Sequence, residues 1–174
     1  MKHLMIDIET LATGYNPCIA TIGLCWFDPQ MNAVADPQTL RCNVTPDNGT
    51  LEHRTVLWWL GQSRDAVDST FFSGERIPLR EALDEVLRQT EQADKVWAKG
   101  TDFDLRIINE VCEHHGLGRA VAFWKFRDCR NLYDMLGKYL PARRDRMVAH
   151  DAGWDAYYQA LVVCEAYRRF NAAT

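Results

Sequence analysis

The run from His3 to Ile8 constrains this chain more than any other. It is almost wholly apolar and alternates poorly, the pattern of a strand covered on both faces. Such a strand belongs at the centre of a sheet with helices packed above and below. Two more strand-like runs follow before any helical pattern begins. Gly14 to Pro17 is a turn-rich break, Ile19 to Phe27 is β-branched and aromatic up to Asp28-Pro29, and Leu40 to Val44 is a short third run. Short turns between them predict an antiparallel meander.

After this the period changes. Thr55 to Leu60 reads as a short helix. Beyond Pro78, which a first helical turn tolerates, Leu79, Ala82, Leu83, Val86 and Leu87 repeat at the spacing of an amphipathic helix. Lys95 to Ala98 is a brief strand. Asp102 to His115 is a helix stopped by Gly116, Phe123 to Asp128 holds another short strand, and Asn131 to Tyr139 is a helix closed by Pro141. A last helix begins near Trp154, with Tyr157, Tyr158, Leu161, Val162 and Cys164 on its buried face. Strands first and strand–helix alternation later predict an α/β fold: a mixed five-stranded sheet flanked by helices, in a single domain over residues 1–174. Sheets of this kind place ligands at the carboxyl ends of strands near the centre.

Composition narrows the function. The 174 residues are 47% hydrophobic and 11% aromatic with six Trp, which excludes disorder as the main state. No apolar run approaches the roughly 18–20 residues of a membrane span, and the apolar stretch in MKHLMIDIET is too short for a secretion signal. A cytoplasmic chain with no membrane partner is expected. Cys18, Cys25, Cys42, Cys112, Cys129 and Cys164 are scattered without a CxxC pair, so buried free thiols are expected rather than a zinc module or a disulfide framework. The net charge of −4 argues against a nonspecific nucleic-acid binder, unless some acids are neutralised as metal ligands.

Three short segments supply such acids. Asp7 and Glu9 in MIDIET stand at i and i+2 of a strand and so share a face. Two like charges this close repel, and a hard cation such as Mg²⁺ or Mn²⁺ removes the conflict. Gly100-Thr101-Asp102-Phe103-Asp104 lies between a strand and a helix, where Asp102 can cap the helix and Asp104 sit in its first turn. His150-Asp151-Ala152-Gly153-Trp154-Asp155 puts a loop His five residues ahead of an Asp at a helix start. Each segment also has a plain structural reading: a solvated strand end, a capped helix, a charged first turn.

The three in order are more specific than any one. DxE near the N-terminus, FD ahead of a middle helix and HxAxxD opening the last helix resemble the DEDDh group of 3′–5′ exonucleases, the DnaQ-like branch of the ribonuclease H-like fold. With TVLWWL at 55–60 and VWxxGxxFD added, the order is similar to phage exodeoxyribonuclease VIII-like proteins and their bacterial 3′–5′ exoribonuclease relatives. This resemblance, which covers essentially the whole chain, implies that Asp7, Glu9, Asp104 and Asp155 hold two Mg²⁺ or Mn²⁺ ions. It implies that His150 deprotonates the attacking water, a task suited to an imidazole, which ordinarily titrates near 6.5. Asp102 is left as the helix cap. Thr10 and Leu11 match the stretch that touches the terminal nucleotide, with Leu11 wedging between the last two bases. Phe103 is placed with them as a substrate contact.

Trp58 and Trp59 are adjacent and cannot share one helix face; one is read as core and the other as a stacking platform for a base. Arg143, Arg144 and Arg146 read equally as phosphate contacts or as a solvated basic loop. The remaining Met, Tyr and Trp residues are assigned to the core. Two positions depart from the family pattern: Lys99 stands where relatives often have Asn, and Gly153-Trp154 fill the last motif unusually. The expected partner is the 3′ end of single-stranded DNA or RNA, released as nucleoside 5′-monophosphates, and the branch often forms homodimers. The rival readings are a ribonuclease H-type endonuclease, which the HxAxxD motif opposes, and a catalytically idle nucleic-acid-binding module, which has no use for crowded carboxylates.

Overall fold

A mixed sheet of six strands organises the computed structural model, which describes residues 2–145 and 147–172. The central strand β1 (His3–Thr10) runs antiparallel to β2 (Ile19–Asp28) and parallel to β5 (Lys95–Ala98). On the far side of β2 lie β3 (Ala33–Val34) and β4 (Gln38–Arg41), and β6 (Phe126–Asp128) extends the sheet beyond β5. The sheet therefore has one strand more than expected from sequence. The addition, β3, is two residues long, too short for any period-two pattern to mark.

Lack of alternation in β1 has the physical basis inferred for it: both faces are covered. Leu4, Ile6 and Ile8 join the core beneath α3 (Leu79–Gln92) and α4 (Asp104–His114). Met5, with Cys25, Phe27 and Trp97, packs on the other face against α6 (Ala152–Ala172) and α5 (Arg130–Leu136). A third, smaller cluster joins Leu11, Cys18 and Trp59 under α1 (His53–Leu60). The four-residue helix α2 (Arg64–Val67) follows and runs into a π-helical turn, Asp68–Phe72.

One helix is seated unusually close to the sheet. Gly23 pairs with Asp7 in the ladder, and a Cβ there would lie 1.9 Å from the Ala152 carbonyl oxygen. Glycine at this point lets the start of α6 rest on the strand that neighbours Asp7. Gly153 serves the same approach from the helix side, since a Cβ on it would meet the Thr39 hydroxyl at 2.1 Å. The glycine of the last motif thus has a packing role.

Several expectations need correction. Asp102 does not cap the middle helix; α4 starts at Asp104, follows Phe103, and has no side-chain cap. The turn before it is organised from β6 instead. The Asp128 carboxylate accepts the N–H groups of Gly100 and Thr101 at 3.2 and 3.1 Å, and Gly100 has φ +106°, a conformation that favours glycine. The assignment of all remaining Met, Tyr and Trp to the core also fails. Met31, Met135, Tyr15, Tyr139 and Trp124 are exposed. All six cysteines are free and buried. Among the described residues, no helix is long and apolar enough to cross a membrane.

Candidate active site

Three elements converge at the carboxyl end of β1. The strand carries Asp7 and Glu9 on its α6 face, α4 begins with Asp104, and α6 carries Asp155 in its first turn. Asp151 accepts the Trp154 N–H at 3.1 Å and so caps α6, which turns Asp155 toward the strand. The loop before α6 delivers His150. Asp7, Glu9, Asp104, His150 and Asp155 line one cavity of about 330 Å³ with Lys99, Phe103, Tyr133, Arg143 and Gln159.

Each acid is held by a specific partner. Asp7 accepts a 2.6 Å hydrogen bond from the Gln159 amide. Asp104 accepts the Ile8 N–H at 3.1 Å, which locks α4 to the central strand between Asp7 and Glu9. Asp155 accepts the His150 N–H at 2.8 Å with one oxygen and the Arg143 guanidinium at 2.8 Å with the other. The His150 Nδ1 lies 3.7 Å from a Glu9 oxygen. Its ring meets those of Trp58 and Trp59 edge-on, with centroids 4.9 and 6.1 Å away.

This crowding has an electrostatic cost. Burial, then the charges of Asp104, Glu9 and Asp155, push the Asp7 carboxyl well above the usual carboxylate range. Burial, then Asp155, Asp104 and Asp151, do the same to Glu9. Asp104 is pushed up to about 7, chiefly by burial, and the N–H it accepts from Ile8 works against that rise. A divalent cation would relieve all three at once. The donor set is hard oxygen, which suits Mg²⁺ or Mn²⁺. Ligand atoms of Glu9, His150 and Asp155 already lie within 4.8 Å of one another. The residues present therefore fit a divalent metal.

Beside this cavity runs a groove of about 960 Å³ lined by Glu9, Thr10, Thr13, His53, Arg54, Trp58, Trp59 and Phe103, among others. Phe103 borders both spaces. The two tryptophans divide as their adjacency requires. Trp59 is 4% exposed and donates its indole N–H to the Thr10 carbonyl at 2.9 Å, whereas Trp58 is 45% exposed. Leu11 is placed differently from the expectation of a base wedge. It is 7% exposed, packs on Cys18 and Trp59, and faces a separate apolar pocket with Val56, Val67 and Phe71. The bulge at Glu9/Thr10 alters the register just before it.

The 3'-5' exoribonuclease Rv2179c-like domain matches residues 2–167. The chain belongs to that family. It is a 3′–5′ exonuclease with the ribonuclease H-like fold of the DEDDh enzymes. No curated protein sequence matches the exonuclease. Its fold is shared with several solved nucleases. The nuclease domain of 3'hExo, a DEDDh family member bound to rAMP, aligns with TM-score 0.60 at 14% identity, over 98% of this chain and 92% of that one. Exonuclease X in complex with 5' overhanging duplex DNA aligns with TM-score 0.61 at 11% identity, over 97% and 93%. The zinc-bound E. coli ExoI–ssDNA complex aligns with TM-score 0.63 at 16% identity, over 96% of this chain and 40% of that one.

Sequence reading of the exonuclease overlooked Gln159, although it stands four residues after Asp155 and so on the same helix face. Arg143, whose sequence context suits a phosphate contact or a solvated loop charge, pairs with Asp155 and lies over the Tyr158 ring at 4.4 Å. Arg146 lies outside the described residues. His53 and Arg54 carried no motif that marks them as groove residues.

Proposed function

We propose that the chain acts as one cytoplasmic exonuclease domain, removing nucleotides from the 3′ end of single-stranded RNA or DNA. The observation that carries this is the convergence of Asp7, Glu9, Asp104 and Asp155 beside His150, at the end of a groove walled by the exposed Trp58 and the half-buried Phe103. Six buried, unpaired thiols accord with a reducing compartment.

In this reading Asp7, Glu9, Asp104 and Asp155 hold two Mg²⁺ or Mn²⁺ ions. When bound, the pair supplies an activated nucleophile and stabilises the leaving oxygen. The remaining work falls to the chain. Trp58 and Phe103 flank the groove and stack on the last bases, contacts that tolerate any base. Arg54 and His53, on the same wall, meet backbone phosphates. His150 accepts the proton of the attacking water, and Trp58 and Trp59 pack against its ring and restrict its rotation.

A second reading has its own observation. Glu9, His150 and Asp155 are close enough to share one ion, which would make His150 a ligand. His150→Ala separates the two. As a base, His150 is worth about 10²–10⁴-fold in turnover and little in affinity, so metal-induced stabilisation should persist in the variant. Loss of that stabilisation would identify a ligand. Strand polarity is tested with matched 3′-labelled and 5′-labelled RNA and DNA, with and without Mn²⁺. Release of label first from 5′-labelled ends would refute the proposal.

A further inference from the structure

His150 has φ +63°, in the left-handed region that residues other than glycine rarely adopt. A backbone held this way persists only where its surroundings enforce it. Both of its peptide groups are secured. The N–H donates to Asp155, and the C=O accepts a 2.9 Å hydrogen bond from the Thr70 hydroxyl, eighty positions earlier in the chain.

Thr70 is placed for this contact with unusual care. It is 1% exposed and sits within the π-helical turn Asp68–Phe72, which is closed by the Ser73 N–H donating to the Asp68 carbonyl at 2.8 Å. Such turns insert a residue into a helix and re-aim its side chains. The Thr70 carbonyl in turn accepts from Arg76, whose guanidinium also donates to the carbonyls of Ala20 and Cys42. Ala20 belongs to β2, the strand paired with β1. A continuous set of contacts thus runs from the sheet that bears Asp7 and Glu9, through Arg76 and Thr70, to the backbone of His150.

We infer that Thr70 is a positioning residue for the reaction: its hydroxyl latches the left-handed backbone of His150 and so fixes the imidazole relative to the carboxylates. The inference rests on the reading of His150 as the proton acceptor. Thr70 itself lines neither the groove nor the acidic cavity.

The test is a double-mutant cycle on kcat for a short oligonucleotide. Thr70→Val keeps the shape and removes the hydroxyl. It should lower kcat about tenfold, the scale of one lost hydrogen bond, and leave KM and metal-induced stabilisation unchanged. Thr70→Ser should restore turnover. In a His150→Ala background, Thr70→Val should cost nothing further, because the group it positions is gone. Should the valine variant fail to fold, Thr70→Ala carries the same expectation. An equal loss in both backgrounds, or loss of turnover in the serine variant, would mean that Thr70 acts only on stability and overturns the inference. Undiminished Thr70→Val together with impaired His150→Ala sinks the latch alone. Full turnover in His150→Ala sinks the base assignment, and the latch with it.

Discussion

A carboxylate enclosed by other carboxylates is a poor place for an anion, and Asp7 is the extreme case in this chain. Burial and three neighbouring acids raise its pKa, and Gln159 offers it a neutral donor. Asp7→Asn should therefore raise the melting temperature of the metal-free protein while reducing oligonucleotide hydrolysis by several orders of magnitude. Asparagine keeps an oxygen to accept the Gln159 amide, so the fold has no reason to change. Near wild-type turnover in that variant would remove Asp7 from the site. A second comparison separates the two acids of the TDFD segment. Asp104 is buried and bonded to the central strand, whereas Asp102 is exposed and caps nothing. Asp104→Asn should abolish most turnover. Asp102→Asn should shift stability by less than about 0.5 kcal/mol and leave activity intact. Equal losses in parallel nuclease assays would show the assignment of Asp104 to be wrong.

Helix α6 sits where it does because two glycines allow it. At Gly23 an added Cβ meets a backbone carbonyl, which can move only if the helix moves. Gly23→Ala should cost about 3 kcal/mol and, by displacing Asp155 and His150 from Asp7, lower turnover as well. At Gly153 the added Cβ meets the Thr39 hydroxyl, a side chain that can rotate. There the helix propensity gained by alanine, up to ~1 kcal/mol, offsets part of the strain. Gly153→Ala should therefore be much the milder of the two in urea denaturation. The reverse ranking would mean that α6 is not held by its approach to β2. Other features at this scale show what a pattern can and cannot reveal. The amphipathic stripe of α3 announced itself, because burial on one face leaves a period that propensity alone does not. The π-turn at Asp68–Phe72 left no mark in the pattern, and its contacts to Arg76 and to the backbone of His150, far along the chain, carry no local signal.

For the molecule as a whole, the site makes stability depend on pH and metal together. Asp7, Glu9 and Asp104 all have folded-state pKa values above their ordinary ones, Asp104 at about 7. The unfolded chain therefore loses these protons first. Their contribution to stability is complete below about pH 4 and is lost as pH rises through the folded-state values. Glu85 and Glu165, held down by the arginines beside them, act in the opposite sense, and theirs is lost only as pH falls below the ordinary carboxylate range. Burial lowers the pKa of His3 and His115, which costs stability as pH falls through the ordinary imidazole range near 6.5, but these two partly buried rings are outweighed by the three enclosed carboxyls. The metal-free protein should melt at a lower temperature at about pH 8 than at about pH 5. Mg²⁺ or Mn²⁺ should recover the difference, by ~2.7 kcal/mol at a hundred times the dissociation constant. Thermal scans at both pH values, with EDTA or millimolar metal, check this. A metal-induced shift of the same size at both would count against carboxylates as the ligands.

The order of strands and helices and the double coverage of β1 could be read from the sequence alone, as could the candidacy of Asp7, Glu9, Asp104, His150 and Asp155, which the structure brings around one cavity. Each rests on local information: an apolar run, a helical period, an i, i+2 pair on one strand, or a motif whose spacing is short. The tertiary structure decided which tryptophan is buried and which is exposed. It also turned Leu11 into the core, handed the capping of the TDFD turn to Asp128, and joined Thr70 to His150. These are contacts between residues far apart in the chain, and their geometry follows from how α1, the π-turn and α6 dock on the sheet. Side-chain period reports which face of an element is buried, but not against what. That second fact is set only when the elements pack.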